Sequence, residues 1–159
     1  LGCGLGSSLR LTNKKNFIFD LVDISEKALK IINSNKDFKN KNFQTFNKNF
    51  CEFLESSKKK YDLIIDSASL QHQHKKDFIK SFNLIKKNLK KNGTFFSINI
   101  HSSKNINNDD FFVTKNNKKE LIKYIKSSGL KMIDYQTTVY KNNNEKNYIK
   151  FNIIIAKNK

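Results

Sequence analysis

The hydrophobic pattern of this chain switches repeatedly between two periods. Compact apolar runs at residues 17–22, 43–46, 61–66 and 94–100 have the length of buried strands. Between them, apolar residues recur every three or four positions, the spacing of an amphipathic helix. Ala28, Leu29, Ile31 and Ile32 follow Ser25, a residue type that caps helices by accepting from backbone N–H groups. Short helices are expected at 6–13 and 50–56. The longest, at 75–90, puts Phe78, Ile79, Phe82, Ile85 and Leu89 on one face and ends at Asn92-Gly93. A further helix at 116–128 turns Leu121, Ile122 and Ile125 inward and stops at Gly129. Long strands at 130–140 and 148–156, joined by a polar turn at 141–147, read as a hairpin. Residues 33–42 and 101–110 have no period and read as polar connections.

Strands alternating with helices imply an α/β fold whose parallel strands are joined by right-handed crossovers. The terminal hairpin adds an antiparallel strand. With 159 residues and no internal repeat or composition break, the whole chain, 1–159, is expected to be a single domain with a substantial core. No apolar run has the length of a membrane span, and no signal peptide is visible. The two cysteines, Cys3 and Cys51, make no disulfide framework, so a reducing, cytoplasmic setting is expected.

Lysine and arginine number 31 against 14 acidic residues, a formal charge of +17. Such a charge invites a nucleic-acid reading. The lysines are dispersed, however, and not gathered into a patch with interleaved aromatics. Heavy use of Lys, Asn, Ile and Phe, with no proline, is what an AT-rich genome writes at tolerant surface positions. Nucleic acid is therefore not the favoured partner, although the charge still attracts acidic substrates.

Candidate chemistry begins at the first residue. Leu1-Gly2-Cys3-Gly4-Leu5-Gly6 leads into a helix, and Val22-Asp23-Ile24-Ser25 closes the next strand. Glycines let a backbone approach a ligand, and an acidic residue at a strand end can take both ribose hydroxyls. The spacing is GxGxG, not the GxGxxG of nicotinamide-binding folds. Here the chain resembles the class I S-adenosylmethionine (SAM)-dependent methyltransferases, whose first motif reads acidic-Leu-Gly-Cys-Gly-x-Gly. The resemblance implies a Rossmann-like three-layer sandwich with a mostly parallel seven-stranded sheet, in the order 3-2-1-4-5-7-6, and an antiparallel C-terminal strand. Strand one and the lid helices of the family would precede Leu1, so the chain is expected to be an N-terminally truncated copy lacking them. SAM would be held by Gly2, Cys3, Gly4, Gly6, Asp23 and Ile24, with Asp66 as a further cofactor contact and Glu26 complementing the helix dipole.

The resemblance continues in order along the chain. Where the family has Gly-Asp after its third strand, this sequence has Asn49 and Phe50: an amide to accept from adenine and a ring to pack on it. Residues 61–72, Tyr-Asp-Leu-Ile-Ile-Asp-Ser-Ala-Ser-Leu-Gln-His, resemble the fourth motif and the substrate-facing loop, with Asp66 at the carboxyl end of the strand, where open α/β sheets bind ligands. The Asn-Pro-Pro-aromatic signature of nucleic-acid amino-methylating members is absent, which counts against base methylation. Residues 89–96 resemble the Leu-Lys-Pro-Gly-Gly turn without its proline, and Phe111-Phe112-Val113-Thr114 with Ser128-Gly129-Leu130 resembles the last third of small-molecule members.

The three histidines are His72, His74 and His101. His72 and His101 follow strands near the cleft edge and are candidate general bases. His74 reads as a loop residue, and no third ligand completes a metal site with His72 and His74. Cys3 reads as a small residue of the cofactor turn, not a nucleophile. The expected reaction moves a methyl group from SAM to an O, N or C nucleophile of a small-molecule acceptor. The alternatives are an RNA or protein methyltransferase and a non-catalytic SAM-binding domain.

Overall fold

The computed structural model describes residues 1–10, 17–100, 116–141 and 148–159. Two compact units divide it, Leu1–Ser57 and Lys58–Lys159.

In the first unit the glycine turn runs into a short helix, α1 (Ser7–Arg10). Strand β1 (Ile18–Asp23) pairs in parallel with β2 (Asn42–Asn47), from Ile18 opposite Asn42 to Asp23 opposite Asn47. A parallel pair needs a crossover. Helix α2 (Glu26–Ser34) supplies it, capped by the Ser25 hydroxyl, which accepts from the Ala28 N–H at 3.2 Å. The crossover buries Leu29 and Ile32 with Cys3, Leu9, Leu21 and Phe38, and Phe19 and Phe43 pack against that cluster. Helix α3 (Phe50–Ser56) buries Phe53 and Leu54, and the Phe53 ring lies 4.8 Å from that of Phe46.

The second unit contains β3 (Tyr61–Ser67), α4 (Lys75–Asn88), β4 (Leu89–Ile100), α5 (Lys118–Ser127), β5 (Lys131–Lys141) and β6 (Tyr148–Lys157). The strands form one sheet in the order β3-β4-β6-β5. The β3–β4 pair is parallel, and both pairs involving β6 are antiparallel. One face of the sheet is buried through Ile64, Phe95, Ile154 and Ala156. There the Phe82 ring meets Phe95 edge-on at 6.0 Å, and Phe78 links α4 to Tyr124 of α5 at 6.1 Å.

Strand neighbours within each sheet are those expected for strands 3-2 and 4-5-7-6, but the described residues form two separate hydrogen-bonded ladders, not one seven-stranded sheet. The long helix ends at Asn88, and β4 is already extended at Leu89, five residues before the expected start at 94. The register of β4 against β3 slips between Tyr61 and Leu63, which accommodates the extra residues. The left-handed position of this turn is Asn92 (φ 64°), not Gly93. Gly93 is needed for a different reason: a Cβ there would lie 2.9 Å from the carbonyl oxygens of Lys90 and Tyr61. Helix α5 starts two residues later than expected, at a capping box in which Asn117 and Glu120 satisfy each other's backbone N–H groups. The expected loop at 101–110 and most of the turn at 141–147 lie outside the described residues.

Candidate cofactor site and the loop after β3

The glycine turn is fastened to the end of β1. The Cys3 N–H donates to the Val22 carbonyl at 3.1 Å, and the Gly4 N–H donates to Asp23 Oδ2 at 2.8 Å. Asp23 Oδ1 accepts from the Ser25 N–H at 2.9 Å. Each carboxylate oxygen thus holds one backbone donor and retains acceptor capacity, since an ionised carboxylate offers about four lone-pair sites. Asn47, opposite Asp23 in the ladder, donates its side-chain amide to the carbonyls of Asp23 (3.1 Å) and Ile24 (2.9 Å). That bridge fixes the strand end. Sequence reading missed Asn47, although strand register alone places it there.

The glycines of the turn divide by surroundings. Gly2, Gly4 and Gly6 all have positive φ. A Cβ on Gly4 would meet no atom within 4 Å, so its exposed side is open space beside Asp23. A Cβ on Gly6 would lie 3.0 Å from Phe38 and 3.3 Å from Ile32, so Gly6 lets α1 settle on the core. Leu5 and Ile24 flank the Gly4–Asp23 contact in sequence and are 61% and 75% exposed, apolar side chains available to a ligand. Cys3 is buried, and burial together with the nearby Asp23 carboxylate pushes its thiol up to about 11. It is a neutral thiol at physiological pH and a poor nucleophile.

Asn49 and Phe50 open α3. Asn49 is exposed, and its Oδ1 accepts from the Cys51 N–H at 2.8 Å as the N-cap, with further acceptor capacity. Phe50 is buried in the core of its unit.

In the second unit, Asp66, the penultimate residue of β3, has no exposed surface. Its Oδ1 accepts from the Ser69 N–H (3.0 Å), the Ser69 hydroxyl (2.7 Å) and the Leu70 N–H (3.0 Å). Its Oδ2 accepts from the Ser97 hydroxyl at 2.6 Å, and Ser97 in turn accepts from the Asn99 amide. The carboxylate is therefore committed within the chain, where it holds the loop after β3 against β4. Ala68, in that loop, has φ 60°, a left-handed backbone unusual for a residue with a Cβ. The Gln71 side chain accepts from the Ile100 N–H at 2.6 Å, and its amide nitrogen lies 3.5 Å from His72 Nε2. His72 thus stands on a loop clamped at Asp66 and Gln71. His101 lies outside the described residues. Among the described residues no group of three His, Cys, Asp or Glu side chains is placed to hold a metal ion, and no helix is long and apolar enough to cross a membrane.

A glycine turn that leads into a helix and is fastened to the acidic end of the following strand, in an α/β frame, defines a Rossmann-like class. The methyltransferase domain family matches residues 1–155, and the chain belongs to that family. No curated protein matches it in sequence. Among solved structures it is similar to TehB from Haemophilus influenzae, with TM-score 0.80 and 18% identity over 99% of this chain and 56% of that one. It is also similar to an S-adenosylmethionine-dependent methyltransferase from Clostridium acetobutylicum, with TM-score 0.75 and 14% identity over 98% and 81% of the two chains. Magnesium protoporphyrin IX methyltransferase from Synechocystis, solved with bound SAM, gives TM-score 0.69 and 16% identity over 99% and 67%. The chain spans little more than half the length of TehB.

Proposed function

We propose that the chain is a SAM-dependent methyltransferase domain acting on a small-molecule acceptor. The observation that carries this reading is the Gly4–Asp23 contact: an open glycine face beside a carboxylate with unspent acceptor capacity, flanked by exposed Leu5 and Ile24. These residues fit an adenosine-bearing cofactor. The carboxylate would accept from two ribose hydroxyls, the glycine backbone would admit the amino-acid portion, and Ile24 would cover the adenine ring, with Asn49 and Phe50 at its far edge. SAM supplies an activated methyl group on a sulfonium, so the protein's own contribution is alignment and exclusion of water. In this proposal the strand order is the family's, 3-2-1-4-5-7-6, and the chain is one cytoplasmic domain.

Asp66 and Gln71 position the loop that carries His72, and His72 or His101 removes the acceptor's proton where the acceptor is a hydroxyl or a protonated amine. Of the alternatives, only the RNA or protein acceptor has an observation behind it, the charge of +17. The test is transfer of radiolabelled methyl from SAM to a panel of small hydroxyl, amine and acidic-carbon compounds, with total RNA and a protein extract in parallel. Labelling of a small molecule, with loss of about 10²–10⁴-fold in the His72→Ala or His101→Ala variant, supports the reading. Labelling confined to RNA or protein overturns the acceptor class, and SAM binding without labelling of anything overturns catalysis.

A further inference from the structure

A concavity of the first unit opens at the end of the β1–β2 ladder opposite Asp23; its wall residue Phe38 packs on Gly6 with its other side. The walls include Asn35, Lys36, Phe38, Lys39, Lys41 and Phe43, around a volume of about 370 Å³. It sits where α2 descends to β2, at the Ile18–Asn42 end of the ladder. Asp23 and Asn47 mark the other end, five residue steps or roughly 16 Å away along a strand. A molecule in this groove is therefore not in the proposed cofactor site, and its binding does not depend on the methyltransferase reading.

The lining has one sign of charge. Three lysines contribute, while Asp37, the one carboxylate among residues 33–43, is not part of the wall. Neither Lys36 nor Lys39 forms an ion pair among the described residues. Asn35 Oδ1 accepts from the Asp37 N–H at 2.9 Å, which fixes the side chain, and its amide is a donor to offer an anion. Like charges gathered in a concave wall focus a positive potential far better than the same lysines spread on a convex surface. The half-buried Phe43 adds an apolar edge.

We infer that this groove binds linked phosphates, as carried by a polyphosphorylated small molecule or by a single-stranded nucleic acid. Lysine ammonium groups act on phosphate as point charges without demanding one geometry, which suits a repeating anion. Dispersed surface charge would give weak binding with no preferred location, whereas a built groove gives binding that is lost when three particular lysines are removed.

The decisive comparison uses two triple variants of the full chain. Lys36→Gln, Lys39→Gln and Lys41→Gln remove the charge of the groove. Lys119→Gln, Lys123→Gln and Lys126→Gln remove the same charge from the exposed, convex side of α5. Tripolyphosphate and a twelve-nucleotide oligouridylate are each titrated at several salt concentrations. The groove variant is expected to lose at least tenfold in affinity for tripolyphosphate at 50 mM salt, and the α5 variant less than twofold. For the oligonucleotide, the slope of log affinity against log salt should become shallower by about 2 in the groove variant, as three phosphate contacts on a single strand require. Loss for tripolyphosphate alone identifies a small phosphorylated ligand, and loss for both identifies a strand. Equal losses in the two variants, or no binding by the parent chain, overturn the inference. Nuclear magnetic resonance shifts in the parent chain on adding tripolyphosphate, expected to concentrate at residues 33–43, test the same point without a variant. Shifts spread over all lysine-bearing surfaces contradict it.

Discussion

Gly4 and Gly6 share a left-handed backbone and differ in what surrounds it, so the same substitution separates a glycine facing open space from a packing glycine. Alanine at either position incurs about 1–2 kcal/mol of backbone strain. Only at position 6 does the new methyl also press on Phe38 and Ile32, a crowding of a further 1–3 kcal/mol or so. Urea melts should rank Gly6→Ala as the less stable variant, while Gly4→Ala should lose more cofactor affinity. Cys3 gives a pH-dependent counterpart. Its thiol is raised from 9.0 to about 11 by burial and by Asp23, so folding favours the protonated form. The resulting stability is whole below pH 9 and is lost as pH rises through 11. Between pH 8 and 11 the parent should therefore lose about 2 kcal/mol more than Cys3→Ala. Parallel pH profiles would remove Cys3 from the account. Iodoacetamide should label the half-buried Cys51 well before Cys3 at neutral pH.

At the scale of elements, what the sequence made legible was whatever local rules decide. Ser25 caps α2, Asn117 and Glu120 box the start of α5, and Gly129 ends it with φ 78°. The α4–β4 junction was misread because Asn92-Gly93 looks like a helix terminator, whereas the glycine is demanded by close carbonyls of Lys90 and Tyr61 that only the tertiary fold brings together. Asp23 was legible as a carboxylate at a strand end, while its hold on the Gly4 N–H was not. Asp66 was legible as a strand-end carboxylate, but its burial and its partnership with Ser97 depend on β3–β4 register, which no local pattern specifies. Two changes test the loop it holds. Asp66→Ala removes the acceptor of four donors, of which the Leu70 N–H and the Ser97 hydroxyl are buried, and should lower stability by about 2–3 kcal/mol or more in urea melts. Ala68→Gly relieves the left-handed strain and, after the entropic cost of glycine, should raise stability by about 0.5–1 kcal/mol. A destabilised Ala68→Gly would mean that position 68 is not strained.

For the molecule as a whole, the sheet ladders and the surface charge pull in opposite directions. β1 has β2 as its strand partner and β3 has β4, and both carry exposed apolar residues: Ile18 at 73% and Leu63 at 46%. Apolar side chains along strand edges favour association between chains, and a charge of +17 opposes it through mutual repulsion. Salt screens the repulsion and leaves the apolar term. The 159-residue chain should therefore associate increasingly between 50 mM and 500 mM sodium chloride, as followed by light scattering after size exclusion. A monodisperse monomer with a sharp cooperative melt at both concentrations would contradict this.

The central claim is that the glycine turn and Asp23 together hold the adenosine of SAM. Calorimetric titration of S-adenosylhomocysteine into the parent chain and into Asp23→Ala tests it most directly. The account predicts saturable one-to-one binding to the parent and a weakening of about 1.5–3 kcal/mol in the variant, the range for hydrogen bonds to a charged group, with the thermal melt of the variant otherwise cooperative. Equal affinities in the two proteins would take Asp23 out of the site and contradict the account.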